Sequence, residues 1–96
     1  WVSVVAVSLG SGGAVIADRD EAWFAPALDV EVRSTVGAGD AMVAGLAAGL
    51  LMDAELERVF AMGVASASAM CMTEGTDALS RADYKRLLEA VRPERI

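Results

Sequence analysis

The residue types best suited to chemistry lie in one short segment, residues 34–40, which reads Ser-Thr-Val-Gly-Ala-Gly-Asp. An uncharged run with the composition of a helix begins near Ala38. The first N–H groups of such a helix have no internal acceptors, and the positive end of the helix dipole lies behind them. They therefore suit a phosphate. Gly37 and Gly39 let the backbone turn sharply and let a ligand approach it closely.

Two residues of this segment are open to more than one interpretation. Asp40 is an acid in the first helical turn, where acids commonly act as caps. A carboxylate beside an anion site can equally take the proton of a reacting hydroxyl. Thr35 could bond a phosphate oxygen through its hydroxyl, or it could fix the loop. Spacing alone does not decide either case.

A second glycine-rich segment, residues 8–13, reads Ser-Leu-Gly-Ser-Gly-Gly. A dinucleotide-binding fingerprint must open a helix, whereas these glycines lead into the strand-like run Ala-Val-Ile-Ala at 14–17. No glycine pair in the chain is followed by Gly-Lys-Ser/Thr, which excludes a P-loop. From the residues alone, the segment is a tight hairpin-type turn.

Short strands are predicted on both sides of this turn. The valine-rich run 2–7 is typical of a strand buried on both faces, as in a parallel sheet. Residues 14–17 and 21–25 are predicted to form a hairpin, which Pro26 ends. Residues 30–32 alternate apolar and acidic side chains and lead toward the segment at 34–40.

Three helices are predicted after residue 37. Residues 41–52 carry no charge, and Gly45 and Gly49 form a small-xxx-small pair. Such a pair occurs at membrane helix dimers. However, twelve residues are too few for a bilayer, which needs about 20, so packing of a helix on a sheet is favoured. Asp53 is predicted to cap a second helix over about residues 54–72. Residues 73–77 are a predicted loop, and Ser80 begins a third helix that Pro93 closes.

Composition limits the function classes. The 96 residues suffice for one small domain. A net charge of −6, from 14 acids and 8 bases, disfavours a nucleic-acid partner. The absence of histidine excludes His-based triads and His metal sites. Cys71 lies in an apolar run and is predicted to be a reduced, buried core residue, which favours a cytoplasmic protein.

The segment at 34–40 resembles the signature of the ribokinase-like sugar kinases of the phosphofructokinase-B family. Its Gly-Ala-Gly-Asp core is met in full by residues 37–40. Ser34 stands where the family most often has Asp. In this respect the segment resembles the branch of the family that phosphorylates sugar phosphates, such as 1-phosphofructokinase and tagatose-6-phosphate kinase. The resemblance extends upstream to residues 8–14 and downstream through the helices. It implies an α/β fold in which short strands with a hairpin precede three helices. Residues 1–96 would then be one unit, the C-terminal nucleotide-binding and catalytic part of a larger kinase.

The same resemblance implies an activity, ATP-dependent phosphorylation of a sugar-phosphate hydroxyl, and roles for individual residues. Asp40 matches the catalytic base, and Gly37, Ala38 and Gly39 match the anion hole. Thr35 and Gly39 would also contact the nucleotide. Further nucleotide contacts match the glycine-rich turn: Ser8, Leu9, Gly10, Ser11, Gly12 and Gly13.

Mg²⁺ would accompany the nucleotide phosphates, and no metal ligand is assigned in this stretch. The adenine pocket of the family is partly lined by the helix that matches residues 59–69. Gly63 and Ala67 are small enough to admit a ring there, although small residues in a packed helix need no ligand to explain them.

The 96 residues alone are expected to be inactive or nearly so, because half of the site would be absent. The rival hypothesis is a non-catalytic module that binds a nucleotide or phosphate. A third is a membrane-associated pair of helices over residues 41–52 and 59–73, which the charged linker between them disfavours. Neither a membrane nor a nucleic acid is an expected partner, and a homodimer is the oligomeric state to test.

Overall fold

The computed structural model describes residues 4–73 and 80–96. The start of the predicted first strand and most of the predicted loop at 73–77 therefore lie outside the described residues. The strands and helices, in chain order, are β1 (Val5–Ser8), β2 (Ala14–Ala17), β3 (Ala22–Ala25), α1 (Ala38–Leu51), α2 (Leu56–Cys71), α3 (Arg81–Ala90) and β4 (Glu94–Arg95), with a 3₁₀ turn (Gly10–Gly12) between β1 and β2. Short strands with a hairpin do precede three helices, so the predicted fold class is confirmed.

The strands form one antiparallel sheet in the order β1-β2-β3-β4. In the register, Ile16 of β2 lies between Ala6 of β1 and Trp23 of β3. The predicted β2–β3 hairpin is confirmed. In its turn, Asp18 Oδ1 accepts hydrogen bonds from the N–H groups of Asp20 at 2.8 Å and Glu21 at 2.9 Å. Residues 8–13 connect β1 to β2 as a second hairpin, as their composition predicted.

The prediction that β1 is buried on both faces of a parallel sheet is wrong for this structure. β1 is an edge strand that pairs antiparallel with β2, and the side chains of Val5 and Val7 are 51% and 48% exposed. A valine-rich run indicates a strand with neighbours on every side. The described residues supply a neighbouring strand on one side only.

Close backbone contact joins α1 to α2. A Cβ placed on Gly45 would lie 2.5 Å from the carbonyl oxygen of Met62, and one on Gly49 would lie 2.9 Å from Val59 Cα. Packing therefore explains the small-residue pair, but its partner is α2 and not the sheet as predicted. No helix within the described residues is long and apolar enough to cross a membrane.

The connection between α1 and α2 also differs from prediction. Asp53 is not the N-cap of α2, a position that Glu55 occupies. Asp53 instead has a φ of 54° and follows the end of α1. Its N–H donates to Leu50 O and the N–H of Ala54 donates to Gly49 O, both at 3.1 Å. This pair of bonds is the Schellman motif, in which the residue after the C-cap adopts a left-handed conformation.

The core lies where α2 meets the sheet and α3. Phe60, Val59 and Ile16 are its largest fully buried side chains. Leu87 of α3 and its C-cap Val91 are buried, and Tyr84 and Leu88 pack against the core. Ser80 is the N-cap of α3, as predicted, and its Oγ accepts a hydrogen bond from the N–H of Asp83 at 3.3 Å.

Candidate active site

The two glycine-rich segments meet at one cavity of about 410 Å³. Of the residues predicted to bind a ligand, those lining it are Ser8, Gly10, Ser11, Gly13, Thr35, Ala38 and Gly39. Leu9, Gly12, Gly37 and Asp40 do not line it. The chain thus brings together two segments that are more than twenty residues apart in sequence. None of the side chains along this wall is charged, so the cavity itself does not repel an anion even though the chain carries a net charge of −6.

Gly37 lies at the start of α1, immediately before the two helical residues that line the cavity, Ala38 and Gly39. It is the N-cap of α1, with φ 80° and ψ −1°, a left-handed conformation that disfavours residues with a Cβ. Ala41 N–H donates to Gly37 O at 2.9 Å, which closes the first helical turn. Gly37 has no side chain with which to cap the helix, so no capping side chain occupies the first N–H groups of α1.

The available donors can be named individually. Ala38 N–H donates to Thr35 O at 3.2 Å. The N–H groups of Gly37, Gly39 and Asp40 make no hydrogen bond within the described residues. Gly39 lines the cavity, and its amide lies at the positive end of the α1 dipole. An anion bound there would meet unsatisfied donors, whereas the Ala38 N–H would have to exchange its bond to Thr35.

Asp40 is the third residue of α1 and is exposed. Its carboxylate caps no backbone N–H and forms no ion pair within residues 4–73 and 80–96. The capping interpretation therefore has no hydrogen bond to support it in this structure. Asp40 follows Gly39 directly in the first turn of α1, and its side chain is exposed although it does not line the cavity.

Ser34, and not Thr35, provides the side-chain hydrogen bond that shapes the loop before Gly37. Ser34 Oγ accepts a hydrogen bond from Val36 N–H at 3.1 Å. The Thr35 hydroxyl makes none within the described part of the chain, and Thr35 lines the cavity. Of the two interpretations of Thr35, the structure therefore does not support the one in which its hydroxyl fixes the loop.

The glycine-rich turn has its own internal bonds. Leu9 N–H donates to Gly13 O at 2.7 Å, and Gly13 N–H donates to Gly10 O at 3.1 Å. Gly13 has a φ of 95°, and a Cβ there would meet Phe24 Cε1 at 3.1 Å. The glycine at this position is required by the fold, whatever the turn binds.

The third wall of the cavity comes from α2. Val64, Ala67, Ser68 and Cys71 follow helical spacing and line it. Ala67 thus lines the cavity, and the ring-binding role that the resemblance implied for it stays a prediction. Gly63 is not, because a Cβ on it would lie 2.6 Å from Leu46 Cδ2 of α1. Gly63 serves helix packing.

Cys71 differs from the prediction of a buried core residue. It is half-buried, and it lines the cavity at the last residue of α2. Burial raises the pKa of the Cys71 thiol above its usual range, so the thiol is neutral near pH 7. Because it is neutral, it adds no negative charge to the wall.

Sequence reasoning missed the irregular segment between β3 and α1. Its lining residues are Pro26, Ala27, Leu28, Val30 and Val32. Residues 30–32 do not form a regular strand. The alternation of Val30 and Val32 around the exposed Glu31 was the available signal, since it places both valines on one side of the chain.

The comparison with known families decides the identity. A model described as pfkB family carbohydrate kinase matches residues 1–83. The chain belongs to the pfkB family of carbohydrate kinases. The predicted family is therefore confirmed.

Individual pfkB kinases are also similar. The chain is 42% identical over 86 residues to an ATP-dependent 6-phosphofructokinase isozyme 2 of Mycobacterium tuberculosis. This match covers 90% of this chain and 25% of that protein. It is 48% identical over 75 residues to a 1-phosphofructokinase of Haloferax volcanii, covering 75% of this chain and 24% of that one.

Among solved structures, phosphofructokinase-2 of Escherichia coli in complex with potassium matches with a TM-score of 0.86 and 35% identity. That match covers 92% of this chain and 28% of the other. The chain thus spans about a quarter of the length of the curated relatives that it matches.

Proposed function

We propose that residues 1–96 are the C-terminal nucleotide-binding and catalytic part of a longer kinase that transfers a phosphoryl group from ATP to a hydroxyl of a sugar phosphate. The observation that carries this proposal is the cavity of about 410 Å³ where the turn at 8–13 meets the N-terminus of α1. That size suits one nucleotide-sized ligand. The names of the relatives, 6-phosphofructokinase and 1-phosphofructokinase, support a fructose phosphate as acceptor.

In the proposed reaction Asp40 is the general base. Its carboxylate accepts the proton of the acceptor hydroxyl as that oxygen forms a bond to the γ-phosphorus of ATP. The bond from the γ-phosphorus to the bridging oxygen of ADP breaks, and ADP leaves with that electron pair. An exposed carboxylate that has no partner among residues 4–73 and 80–96 suits this role, since no hydrogen bond to those residues must be broken before it accepts the proton.

The free N–H groups at the start of α1 stabilise the charge that develops on the transferred group. Gly37 and Gly39 were assigned this role with Ala38, and the amide of Asp40 itself is a further donor. Backbone donors fixed by a helix need no reorganisation during the reaction. Losing one such donor typically lowers the turnover number by about 10²–10³-fold.

ATP contacts are proposed for the turn at 8–13 and for Thr35. Ser8, Gly10, Ser11 and Gly13 line the cavity, whereas Leu9 and Gly12 of the same turn do not. Mg²⁺ bound with the nucleotide phosphates would neutralise part of their charge. The described residues contain no cluster of three or more acids, cysteines or histidines that would hold it independently. The cytoplasmic location and the homodimer stay predictions.

The test is turnover by the full-length protein with fructose 1-phosphate, fructose 6-phosphate, tagatose 6-phosphate and ribose. Asp40→Asn should lower the turnover number by about 10²–10⁴-fold on the accepted sugar phosphate, with ATP binding retained. Glu57→Gln is a matched control, because Glu57 is also an acid in the first turn of a helix but lies on α2, away from the cavity. No turnover on any sugar, with nucleotide binding intact, would instead identify a non-catalytic binding module.

A further inference from the structure

Gly37 does not select its own left-handed conformation. Glycine adopts positive and negative φ with similar ease, because it has no Cβ. Gly37 has a φ of 80°, and its N–H makes no hydrogen bond within residues 4–73 and 80–96. Its carbonyl oxygen accepts a hydrogen bond from Ala41 N–H at 2.9 Å. That bond restrains the carbonyl side of Gly37 and leaves the amide side, and with it φ, to other contacts.

The side chain of Met70 supplies such a contact. A Cβ on Gly37 would lie 3.4 Å from Met70 Cε and 3.7 Å from Met70 Cγ. Apart from the chain neighbours of Gly37, no other residue in the described part of the chain brings a heavy atom within 4 Å of that point. Carbon atoms at these separations attract each other by dispersion. A change of φ at Gly37 would break this contact, so the contact favours the observed conformation.

Met70 is itself held in place at the end of α2. Thr73 Oγ1 donates a hydrogen bond to Met70 O at 2.8 Å and lies 3.5 Å from Met70 Sδ. Thr73 N–H donates to Met70 O at 3.1 Å. A methionine side chain is otherwise flexible, because it has three rotatable bonds. The contacts of Thr73 restrict that freedom, so Met70 can act as a fixed support for the loop before α1.

We propose that Met70 is a positioning residue: its side chain holds Gly37 in the left-handed conformation and thereby fixes the direction of the amides at the start of α1. The inference rests on the proposed function in one respect, namely that these amides stabilise the transferred phosphoryl group. Such donors are effective because they need no reorganisation during the reaction. A displacement of about 1 Å at a reacting site can cost about 100-fold in rate.

A purely structural role for Met70 makes a different prediction, which a second methionine of α2 can test. Met70 is half-buried, whereas Met62 is 8% exposed. Truncating Met62 therefore removes the more deeply buried side chain, and should cost at least as much stability. Met62 does not line the cavity. If Met70 acted through stability alone, Met62→Ala would impair the enzyme at least as much as Met70→Ala.

The first experiment is steady-state turnover by the full-length protein. Met70→Ala should lower the turnover number by about 10–100-fold, with a much smaller change in the KM for ATP, because the turn at 8–13 is unaltered. Met70→Leu conserves the side-chain volume and should retain most of the turnover. Met62→Ala should lower the unfolding temperature at least as much as Met70→Ala, yet keep the wild-type turnover number.

Two outcomes of this series would overturn the proposal. One is a turnover number of Met70→Ala equal to that of the wild type. The other is an equal loss in Met70→Leu and Met70→Ala, since filling the space beside Gly37 is the proposed role. Should Met70→Ala not fold, Met70→Val gives the same test, because it lacks the Cε that contacts Gly37 but preserves more of the packing.

The second experiment needs no turnover. Amide NMR spectra of the full-length protein, prepared with isotope-labelled glycine, report on Gly37 and Gly39 directly. Gly39 is the better reporter, because a Cβ on it would meet nothing within 4 Å and Met70 therefore does not touch it there. Its signal should move in Met70→Ala and stay in place in Met62→Ala. A Gly39 signal that Met70→Ala leaves unchanged would overturn the proposal.

The two experiments together separate this proposal from the proposed function. A wild-type protein that turns over no sugar defeats only the proposed function, because the Gly39 signal still decides whether Met70 positions the amides. Wild-type turnover on a sugar phosphate, with an unaltered turnover number and an unmoved Gly39 signal in Met70→Ala, defeats only the positioning role.

Discussion

The carbonyl oxygen of Cys71 accepts a hydrogen bond from the N–H of Arg33 at 2.8 Å. It also accepts one from Ser34 N–H at 3.2 Å. Cys71 is the last residue of α2, and the last carbonyl groups of a helix have no N–H donor within the helix. The loop before α1 therefore satisfies the end of α2, and α2 in turn fixes the loop beside the cavity. Both links run through the backbone, so they are independent of the side chain at position 33.

Gly37→Ala tests how far the anion site depends on the left-handed N-cap. A Cβ at Gly37 would lie 3.4 Å from Met70 Cε, an ordinary contact, so space is not the obstacle. The obstacle is the φ of 80°, which costs an L-residue about 1–2 kcal/mol. We expect the free energy of unfolding of the full-length protein, measured by thermal unfolding, to fall by that amount. We also expect weaker ATP binding. Unchanged ATP affinity would show that the amides near Gly37 do not bind the nucleotide.

Gly39→Ala should separate binding from stability. Gly39 is helical, and a Cβ on it would meet nothing within 4 Å. Alanine favours a helix by about 0.5–1 kcal/mol over glycine, so the unfolding temperature should stay the same or rise. The added methyl group would lie at the cavity wall and lower ATP affinity, which calorimetric titration measures. A variant that binds ATP as tightly as the wild type would place the nucleotide elsewhere.

Gly45→Ala should have the opposite effect on stability, although it is the same substitution on the same helix. Its Cβ would lie 2.5 Å from Met62 O and 2.6 Å from Ser66 Oγ, so α1 and α2 would have to separate. Overpacking of this kind costs about 1–3 kcal/mol, which exceeds the gain in helix propensity. Thermal unfolding of the Gly45 and Gly39 variants side by side measures the difference. Equal unfolding temperatures would contradict the close helix contact.

Local patterns were enough to predict the elements and the two segments of the site. β2 matches its predicted bounds, and β3 and α2 differ from theirs by one or two residues at an end. Strand alternation, helix composition and capping residues act within a few positions, so they are readable without the fold. The resemblance then assigned both glycine-rich segments to one nucleotide site, and residues of both segments line the cavity.

Features that depend on tertiary contacts were not readable. β4 has two charged residues after Pro93, and only its pairing with Trp23 and Phe24 of β3 makes it a strand. Val30 and Val32 line the cavity because the loop end at Arg33 is bonded to α2, which their own sequence does not encode. Asp53 was mistaken for a cap because aspartate favours both N-caps and left-handed C-terminal positions.

Asp53→Gly should stabilise the protein. Asp53 has a φ of 54° in the Schellman motif, a position that glycine occupies without a Cβ penalty. We expect the free energy of unfolding to rise by up to about 1–2 kcal/mol, the cost of the left-handed conformation for an L-residue. Asp53→Ala is the control, because it keeps a Cβ but loses the local polar side chain, so it should destabilise. If both variants were equally stable, the left-handed geometry would contribute nothing.

The Cys71 thiol should report on the cavity through its reaction with iodoacetamide. Burial raises the pKa of Cys71, and the thiolate is the reactive form, so the reaction at pH 7.5 should be slower than that of the unfolded chain. The rate should rise with pH through the raised pKa. Because the folded state holds the proton more tightly, this group's contribution to stability is complete below the unfolded pKa and falls as the pH rises above it.

ATP should slow the same reaction further, because Cys71 lines the cavity. Rates measured with and without saturating ATP on the full-length protein check this, and Cys71→Ser provides the background. Rates that ATP leaves unchanged would remove Cys71 from the nucleotide site.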